Sequence, residues 1–280
     1  EPLSAEDFLA IAHLDGDRRE ARVFLAAPLA RADIEAHFPI EEDQSVAWDS
    51  REQMVTARRR RRLGEIVLDD KPLDATPEAV LPAFLTGLRE IGLDRLPWTP
   101  EQRSWRERLA FLRRLQPDRW PDVSDAALLA GLEEWLAPFA TGMTRAAHLA
   151  RLDLGAALHA MLAWDQRREM DEMAPTHVAV PSGSRVRIDY SGESPVLAVR
   201  LQEMFGSAET PAVARGAVPL TLHLLSPAHR PVQVTSDLAG FWAGAYEAVR
   251  KDLRGRYPRH SWPEDPRAAQ ATARAKPRGT

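Results

Sequence analysis

Five consecutive arginines, Arg58 to Arg62, are the residues in this sequence with the clearest potential for chemistry. Alternate side chains of a β-strand point to opposite faces, so Arg58, Arg60 and Arg62 would share one face and Arg59 and Arg61 the other. No apolar core fits under such a segment, so it must be exposed, lie at a sheet edge or face a polyanion. Two interpretations follow: an edge strand whose charges prevent aggregation, or a strip that binds nucleic-acid phosphates.

A second basic segment lies near the C-terminus, where Arg254, Arg256 and Arg259 alternate with Tyr257 and Trp262. Guanidinium groups pair with phosphates, and aromatic rings stack on bases, so this pattern is compatible with nucleic-acid binding. The alternative is structural: aromatic residues beside prolines pin an extended segment against a helical core, and the arginines bind helix C-terminal carbonyls. The sequence alone leaves both interpretations open.

Composition places the chain among ordinary globular proteins, because 44% of its 280 residues are hydrophobic and 28% are charged. This length accommodates about two domains. The absence of cysteine excludes disulfides, thiolate metal sites and a cysteine nucleophile, and it favours a reducing compartment. No apolar run approaches the roughly 18 residues that span a bilayer. The N-terminus has no signal-peptide pattern and no initiator methionine, so we expect a fragment of a longer chain.

Charge is unevenly distributed along the chain. Residues 1–100 contain 13 basic and 20 acidic side chains, a net charge of −7, whereas residues 250–280 contain 9 basic and 3 acidic side chains, a net charge of +6. The arginine run therefore lies in an otherwise acidic part of the chain, which would repel phosphates.

Signatures of catalysis are missing. A Walker phosphate loop needs a lysine directly after glycine, and none of Lys71, Lys251 and Lys276 has one. The eight histidines show no metal-ligand spacing, and no Gly-x-Ser-x-Gly motif occurs. The loop Pro181 to Ser184 would bind an anion through its backbone amides or serve as a plain turn. We therefore predict no catalytic residue and no metal site on this chain.

The spacing of the hydrophobic residues predicts three regions, because it changes from strand-like to helical near residue 76 and back to strand-like near residue 176. The first region predicts a β-barrel or part of one. Its predicted elements are a hairpin around Asp15-Gly16-Asp17, a helix at 29–38, a strand at 45–49 and one long strand at 54–68. The middle region predicts helices after Thr76, Thr99 and Ser124, with further segments at 144–151 and 153–174.

The last region predicts strands and one closing helix. Val186, Ile188 and Tyr190 alternate with charged residues, which is typical of a half-buried strand. The predicted strands cover 177–180, 185–190, 196–201, 219–225 and 232–234. One helix is predicted from Ser236 through Leu253, followed by a disordered tail from Pro266.

Several short segments of this sequence, in the same order along the chain, resemble the C-terminal part of HrpB-type ATP-dependent helicases, bacterial members of the DEAH-box class. The similarity extends over nearly the whole chain and includes the family's closing signature at Arg254 to Pro266. The other matching segments are Ala57 to Gly64, Leu132 to Pro138, Ala174 to Arg185, Val199 to Gly206 and Pro231 to Trp242.

The resemblance implies a longer parent enzyme whose RecA-like motor domains, absent from this chain, bind ATP and Mg²⁺. It implies an oligonucleotide-binding (OB) fold, truncated at its N-terminus, followed by the family's C-terminal extension. The expected fold class is α+β, with a partial OB-like β-barrel, a central helical bundle and a C-terminal α+β unit containing a mixed or antiparallel sheet. The expected divisions are 1–73, 76–174, 175–265 and a disordered tail at 266–280.

Two functions remain open. The first is a cytoplasmic, nucleic-acid-binding accessory region of an RNA helicase, whose partners are single-stranded RNA or another nucleic acid and its own motor domains, with no membrane. The second is a structural or protein-docking module that braces the motor or recruits a partner. No catalytic residue is implied, and whether the chain has enzymatic activity of its own stays open. The predicted nucleic-acid-binding residues are Arg58, Arg60, Arg62, Arg254, Arg256 and Arg259.

Overall fold

The structure, a computed structural model, describes residues 2–16 and 20–273. The chain forms two compact units. The first unit consists of residues 1–90 and 141–148, and the second consists of residues 91–140 and 149–280. The predicted helical middle and C-terminal α+β regions therefore contribute most of their residues to the same unit.

The first unit contains two antiparallel sheets and two helices. The elements are β1 (Leu9–Leu14), β2 (Val23–Pro28), α1 (Arg31–His37), β3 (Glu41–Asp49), β4 (Met54–Leu63), β5 (Ile66–Pro72) and α2 (Pro77–Ile91). Strands β1 and β2 form the predicted hairpin, in which residue 17 of the expected turn lies outside the described residues. A second sheet has the order β3-β4-β5, and no closed barrel joins the two sheets within the described part of the unit.

The predicted single strand at 54–68 is wrong, because the chain reverses after Leu63 and pairs back on itself. Gly64 adopts a φ of 55°, the left-handed conformation that glycine tolerates best, and Leu63 pairs directly with Ile66. The two-residue turn at Gly64 and Glu65 therefore makes β4 the central strand of three.

Helix α2 packs on β3 through an aromatic contact. The rings of Trp48 and Phe84 lie 6.2 Å apart at 74°, an edge-to-face arrangement. Gly87, one turn further along α2, lies directly under the Trp48 ring, so that a Cβ atom at this position would overlap the indole. A glycine inside this helix therefore allows the close approach of the tryptophan.

Helices of the second unit begin where the sequence predicts but are shorter. They are α3 (Pro100–Leu115), α4 (Asp125–Ala130), α5 (Leu132–Trp135), α6 (Leu154–Ala160) and α7 (Trp164–Met173). Thr99 and Gln102 form a reciprocal capping box at the start of α3. The segment after Ser124 breaks at Gly131, and the one at 153–174 breaks before Trp164. Residues 146–151 form a 3-10 turn.

A five-stranded mixed sheet in the second unit confirms the predicted C-terminal α+β architecture. The strands of the unit are β6 (His177–Ala179), β7 (Arg185–Asp189), β8 (Val196–Arg200), β9 (Ala212–Val213), β10 (Val218–Pro219), β11 (Thr221–Leu225) and β12 (Pro231–Thr235). The sheet has the order β12-β11-β8-β7-β6, with β11 parallel to β8 and the other pairs antiparallel, while β9 and β10 form a separate hairpin. Ile188 and Tyr190 are buried, as the alternation predicts.

The C-terminal segment differs from its prediction in two places. The closing helix is interrupted at Gly244 and forms α8 (Leu238–Ala243) and α9 (Tyr246–Arg256). Residues 266–273 were expected to be disordered, but backbone hydrogen bonds attach them to the unit: Gly206 N donates to Pro266 O, and Thr272 N donates to Gln202 O. Residues 274–280 lie outside the described part of the chain.

The contact between Gly87 and Trp48 predicts an unusual response to a helix-favouring substitution. An alanine in a helix interior is normally more stable than glycine by about 1 kcal/mol. Because the added methyl group would overlap the indole, we expect Gly87→Ala to lower the free energy of unfolding by about 1–2 kcal/mol. Gly255→Ala in α9 is the matched control: no atom lies within 4 Å of the position that its Cβ would take, so this change should be neutral or stabilising. Thermal or urea unfolding checks both, and a stabilised Gly87→Ala would contradict the packing described.

Candidate nucleic-acid interface

The arginine run occupies the middle of a sheet. Strand β4 pairs with β3 on one side and with β5 on the other over the whole length of the run. The interpretation as a charged edge strand is therefore wrong, because both backbone edges of the run are already hydrogen-bonded. Its arginines remain exposed or half-exposed to solvent, since neither face carries a continuous apolar layer at this end.

One carboxylate pairs with two arginines on the face of β4 that carries Arg58 and Arg60. Arg58 Nε donates to Asp70 Oδ1 at 2.6 Å, and Arg60 Nε donates to Asp70 Oδ2 at 3.2 Å. Asp70 lies on β5 directly opposite Arg60, which explains the contact. The two guanidinium groups thus share a single ionic partner.

The second face of β4 carries a larger ionic cluster. Arg61 donates to Glu35 of α1 at 3.0 Å and to Asp69 of β5 at 3.4 Å. Arg31, also on α1, pairs with both carboxylates, and Lys71 lies 3.5 Å from Asp69. The short helix α1 is therefore joined to the sheet by charges as well as by its buried Ile34.

Arg59 and Arg62 differ from the other three arginines. Neither forms an ion pair with any residue in 2–16 or 20–273. Arg59 is exposed and lies opposite Gln44 and Lys71, whereas Arg62 lies opposite Glu41 and its Nε is buried without a hydrogen-bond acceptor. Arg59 is therefore a solvent-accessible cation that the sequence analysis did not include among its site residues.

The acidic partners of the run are held in their charged form. Hydrogen bonds from Arg58 and, more weakly, Arg60 lower the pKa of the Asp70 carboxyl. Hydrogen bonds from Arg31 and Arg61 lower the pKa of Glu35 in the same way. Both carboxylates are therefore ionised near neutral pH, where they compete with any external anion for the same guanidinium groups.

The second predicted segment is anchored by its aromatic residues. Trp262 is buried, and its Nε1 donates to Tyr257 O at 2.9 Å. Arg250 Nε donates to Trp262 O at 3.1 Å, and Tyr246 Oη donates to Pro263 O at 2.9 Å. The structural interpretation is confirmed for Trp262, whose ring is not available to stack on a base.

The three arginines of this segment all lie on the surface. Arg256 pairs with Asp252 at 3.1 Å, one helical turn earlier in α9. Arg254 and Arg259 form no ion pair within residues 2–16 and 20–273. The geometry thus leaves two of the three predicted cations without a competing carboxylate.

The loop from Pro181 to Ser184 is a turn that is tied to a buried carboxylate. Ser182 Oγ donates to Glu203 Oε2 at 2.9 Å, and Arg200 Nε donates to Glu203 Oε1 at 2.8 Å. Burial acts to raise the pKa of Glu203, but hydrogen bonds from Ser184, Arg200 and Ser182 outweigh it and lower that pKa. An ionised carboxylate at the loop disfavours an anion there, so the plain-turn interpretation holds.

Neither a metal centre nor a membrane-spanning helix occurs among the described residues. No group of three histidine, aspartate or glutamate side chains there is arranged to hold a metal ion. No helix in this part of the chain is both long enough and apolar enough to cross a bilayer.

Sequence reasoning missed the acidic residues that surround the run. Asp69 and Asp70 face Arg61 and Arg60 because the chain turns at Gly64 and the register shifts between Arg61 and Arg62. A two-residue hairpin turn at that glycine with regular pairing would place Asp69 and Asp70 opposite Arg60 and Arg59, so the sequence signalled acids beside the run but not the observed partners. Nothing local in the sequence indicates that α1 contributes Arg31 and Glu35 to the same cluster.

Comparisons with known proteins match both ends of the chain. A family model for the HrpB connector region, described as ATP-dependent RNA helicase HrpB, matches residues 39–73. A model for the C-terminal region of HrpB, described as ATP-dependent helicase C-terminal, matches residues 135–266. The first match covers the three-stranded sheet of the arginine run, and the second covers the five-stranded sheet.

The ATP-dependent RNA helicase HrpB of Escherichia coli (strain K12) is 42% identical over 262 residues, which cover 92% of this chain and 32% of that protein. A crystal structure of the E. coli DExH-box NTPase HrpB superposes with a TM-score of 0.70 at 39% identity, over 98% of this chain and 35% of that one. Another crystal structure, of the Escherichia coli DEAH/RHA helicase HrpB, superposes with a TM-score of 0.60 at 37% identity, over 94% of this chain and 34% of that one. The chain spans about a third of these relatives, and it belongs to the HrpB helicase family, where it corresponds to the C-terminal region.

Proposed function

We propose that this chain is a nucleic-acid-binding accessory region of an ATP-dependent RNA helicase and that single-stranded RNA is its ligand. The matching E. coli relative is an RNA helicase by name, which supports RNA as the polyanion. We further propose that ATP and Mg²⁺ act in motor domains elsewhere in the parent protein. In this proposal the chain itself binds RNA and carries no catalytic group.

The observation that carries this proposal is the charge at one end of strand β4. Arg58 lies opposite Ser45 and Pro72, and the pairing partners of Arg59 are likewise not acidic. Within the described residues, Asp70 is the only carboxylate that forms an ion pair with Arg58 or Arg60. Arg58 and Arg60 therefore share one ionic partner and Arg59 has none within the described residues, which leaves a local excess of positive charge that favours a phosphate backbone.

The other end of the run is less suited to binding phosphate. Glu41, Glu42 and Asp43 lie opposite Arg62, Arg61 and Arg60 on β3. These acids repel an approaching phosphate, so we expect the contribution to RNA affinity to decrease from Arg58 towards Arg62.

Removal of the predicted arginines should weaken RNA binding and reduce its salt dependence. Each arginine that contacts a phosphate of single-stranded RNA contributes about 0.7 to the slope of log K against log salt. We expect Arg58→Ala, Arg60→Ala and Arg62→Ala combined to lower the slope by between about 1 and 2. A salt titration of oligonucleotide binding by fluorescence anisotropy measures it, and the same titration with Arg254→Ala, Arg256→Ala and Arg259→Ala tests the second segment.

Arg51→Ala is the matched control for this titration. Arg51 is 93% exposed and lies in the turn between β3 and β4, outside the run. Its removal should leave the slope unchanged. An unchanged slope in the triple variant of β4, with the fold intact by circular dichroism, would contradict a role of the run in RNA binding.

The shared carboxylate allows a test in the opposite direction. Asp70→Asn removes the ionic partner of Arg58 and Arg60, so both would be available to phosphate. Because one unit charge near a surface is worth about 1 kcal/mol, we expect about fivefold tighter RNA binding at low salt. Glu65→Gln makes the same change of net charge in the adjacent turn and pairs with no arginine of the described chain. Equal affinities of the two variants would show that Asp70 does not restrain the run.

A protein-docking role is the second candidate function, and exposed apolar residues favour it. Phe24 and Leu25 on β2 are 55% and 61% exposed, and Ile11 on β1 is 48% exposed. Apolar side chains in one hairpin are typical of a surface that is covered by another protein segment. If the triple variant of β4 keeps the RNA affinity and salt slope of the wild type, docking becomes the better description of this unit.

A further inference from the structure

A cavity of about 540 Å³ opens in the second unit between the first turns of α3, the start of α6 and the outer strands of the five-stranded sheet. We name it the α3–β7 pocket. Its volume lies in the range of small-molecule sites, roughly 300–1,000 Å³. None of the predicted RNA-binding arginines lines it.

One wall of the α3–β7 pocket is aromatic. The rings of Trp105 on α3 and His159 on α6 lie 6.0 Å apart at an angle of 48°. Trp105 is buried to all but 8% of its surface, so its position is fixed by the core. The accessible part of this wall is the exposed His159 ring, which the buried tryptophan supports and against which a planar ring can pack.

The opposite wall is cationic. His177 on β6 and Arg187 on β7 are direct cross-strand partners, so their side chains emerge on the same face of the sheet. The side chain of Arg187 forms no ion pair or hydrogen bond with the part of the chain that the structure describes, and Glu101, Glu107 and Asp189 attract it only at longer range. A guanidinium group that makes no ion pair, beside an imidazole, is suited to binding a phosphate group.

Polar groups of α3 also lack partners inside the pocket. Ser104 is only 8% exposed, and its hydroxyl group makes no hydrogen bond within residues 2–16 and 20–273. Gln102 uses its Oε1 to accept from Thr99 N at 2.9 Å, which leaves the amide Nε2 as a donor. Both atoms are accessible to solvent in the pocket, so they can hydrogen-bond a polar ligand there.

Gly155 keeps this region open. A Cβ atom at residue 155 would lie 3.3 Å from Gln102 Nε2 and 3.5 Å from Asp153 Oδ1. A larger residue at the start of α6 would therefore crowd the amide that faces the pocket.

We propose that the α3–β7 pocket binds a nucleoside monophosphate unit, with its base against His159 and its phosphate on Arg187 and His177. Ser104 and the Gln102 amide then hydrogen-bond the polar edge of the base or the ribose. Glu101, also on the pocket lining, supplies an acceptor for an exocyclic amino group. The unit belongs either to a strand of RNA or to a free nucleotide. If the unit is part of an RNA strand, the pocket is a second site of the proposed RNA-binding function and rests on that function. If it is a free nucleotide, the pocket is independent of the proposed function.

Binding of the four nucleoside monophosphates to the 280-residue chain, measured by isothermal titration calorimetry, tests the pocket. We expect saturable binding near the millimolar range or tighter, and about tenfold weaker binding of the matching nucleosides, which lack phosphate. Arg187→Gln should weaken monophosphate binding about tenfold. Arg185→Gln, two residues earlier on the same face of β7 and outside the pocket, should leave it unchanged. His159→Ala, which removes part of the aromatic wall, is the second variant if Arg187→Gln fails to fold.

The proposal is overturned if no monophosphate binds saturably or if Arg185→Gln and Arg187→Gln weaken binding equally. A single-stranded oligonucleotide distinguishes the two sources. A loss of RNA affinity in Arg187→Gln assigns the site to a strand, whereas an unchanged RNA affinity with weakened monophosphate binding assigns it to a free nucleotide. Because the β4 variants leave this pocket intact, failure of the arginine run to bind RNA would not change the monophosphate result.

Discussion

Compensation of charge on the central strand β4 is the constraint on which the first unit depends. Five adjacent guanidinium groups on a strand that is hydrogen-bonded on both sides would repel one another without nearby carboxylates. Asp70 on β5 bridges two of them, and Asp69 together with Glu35 of α1 binds a third. The turn at Gly64 and the register shift between Arg61 and Arg62 together bring these carboxylates into place. The position of α1 and the pairing of β5 are thereby coupled to the arginines.

This arrangement has a direct consequence for the proposed binding of RNA. An arginine that already pairs with a carboxylate must exchange that partner for a phosphate, so the net gain in free energy is small. The cations that keep their full attraction for phosphate are those without such a partner, such as Arg59 in the first unit and Arg254 and Arg259 in the second. The number of arginines in a run therefore overstates its capacity to bind phosphate. The strand pairing determines which arginines have a carboxylate partner and which are available to phosphate.

The sequence predicted the parts of the fold that follow from local periodicity. The helix starts at Pro77 and Pro100 are marked by a threonine followed by proline, and the burial of Ile188 and Tyr190 follows from alternation. What it missed depends on tertiary contacts. Breaks at Gly131 and Gly244 divide apolar stripes that look continuous, and the segment from Pro266 is attached by hydrogen bonds to Gln202, Gly206 and Ala239, which are distant in sequence.

The candidate sites also divide into features that the sequence shows and features that depend on tertiary contacts. Arginine and tryptophan clusters are visible in the sequence, but whether they are accessible is decided by their partners. Trp262 is surrounded by conspicuous arginines and yet is buried as an anchor, whereas Arg187 stands in an ordinary strand and its side chain makes no ion pair within the described chain. A contact with phosphate alone positions a strand without reading its bases. The proposed α3–β7 pocket, which combines a cation with an aromatic wall and accessible polar groups, has the chemistry to read a base, which the strand β4 lacks.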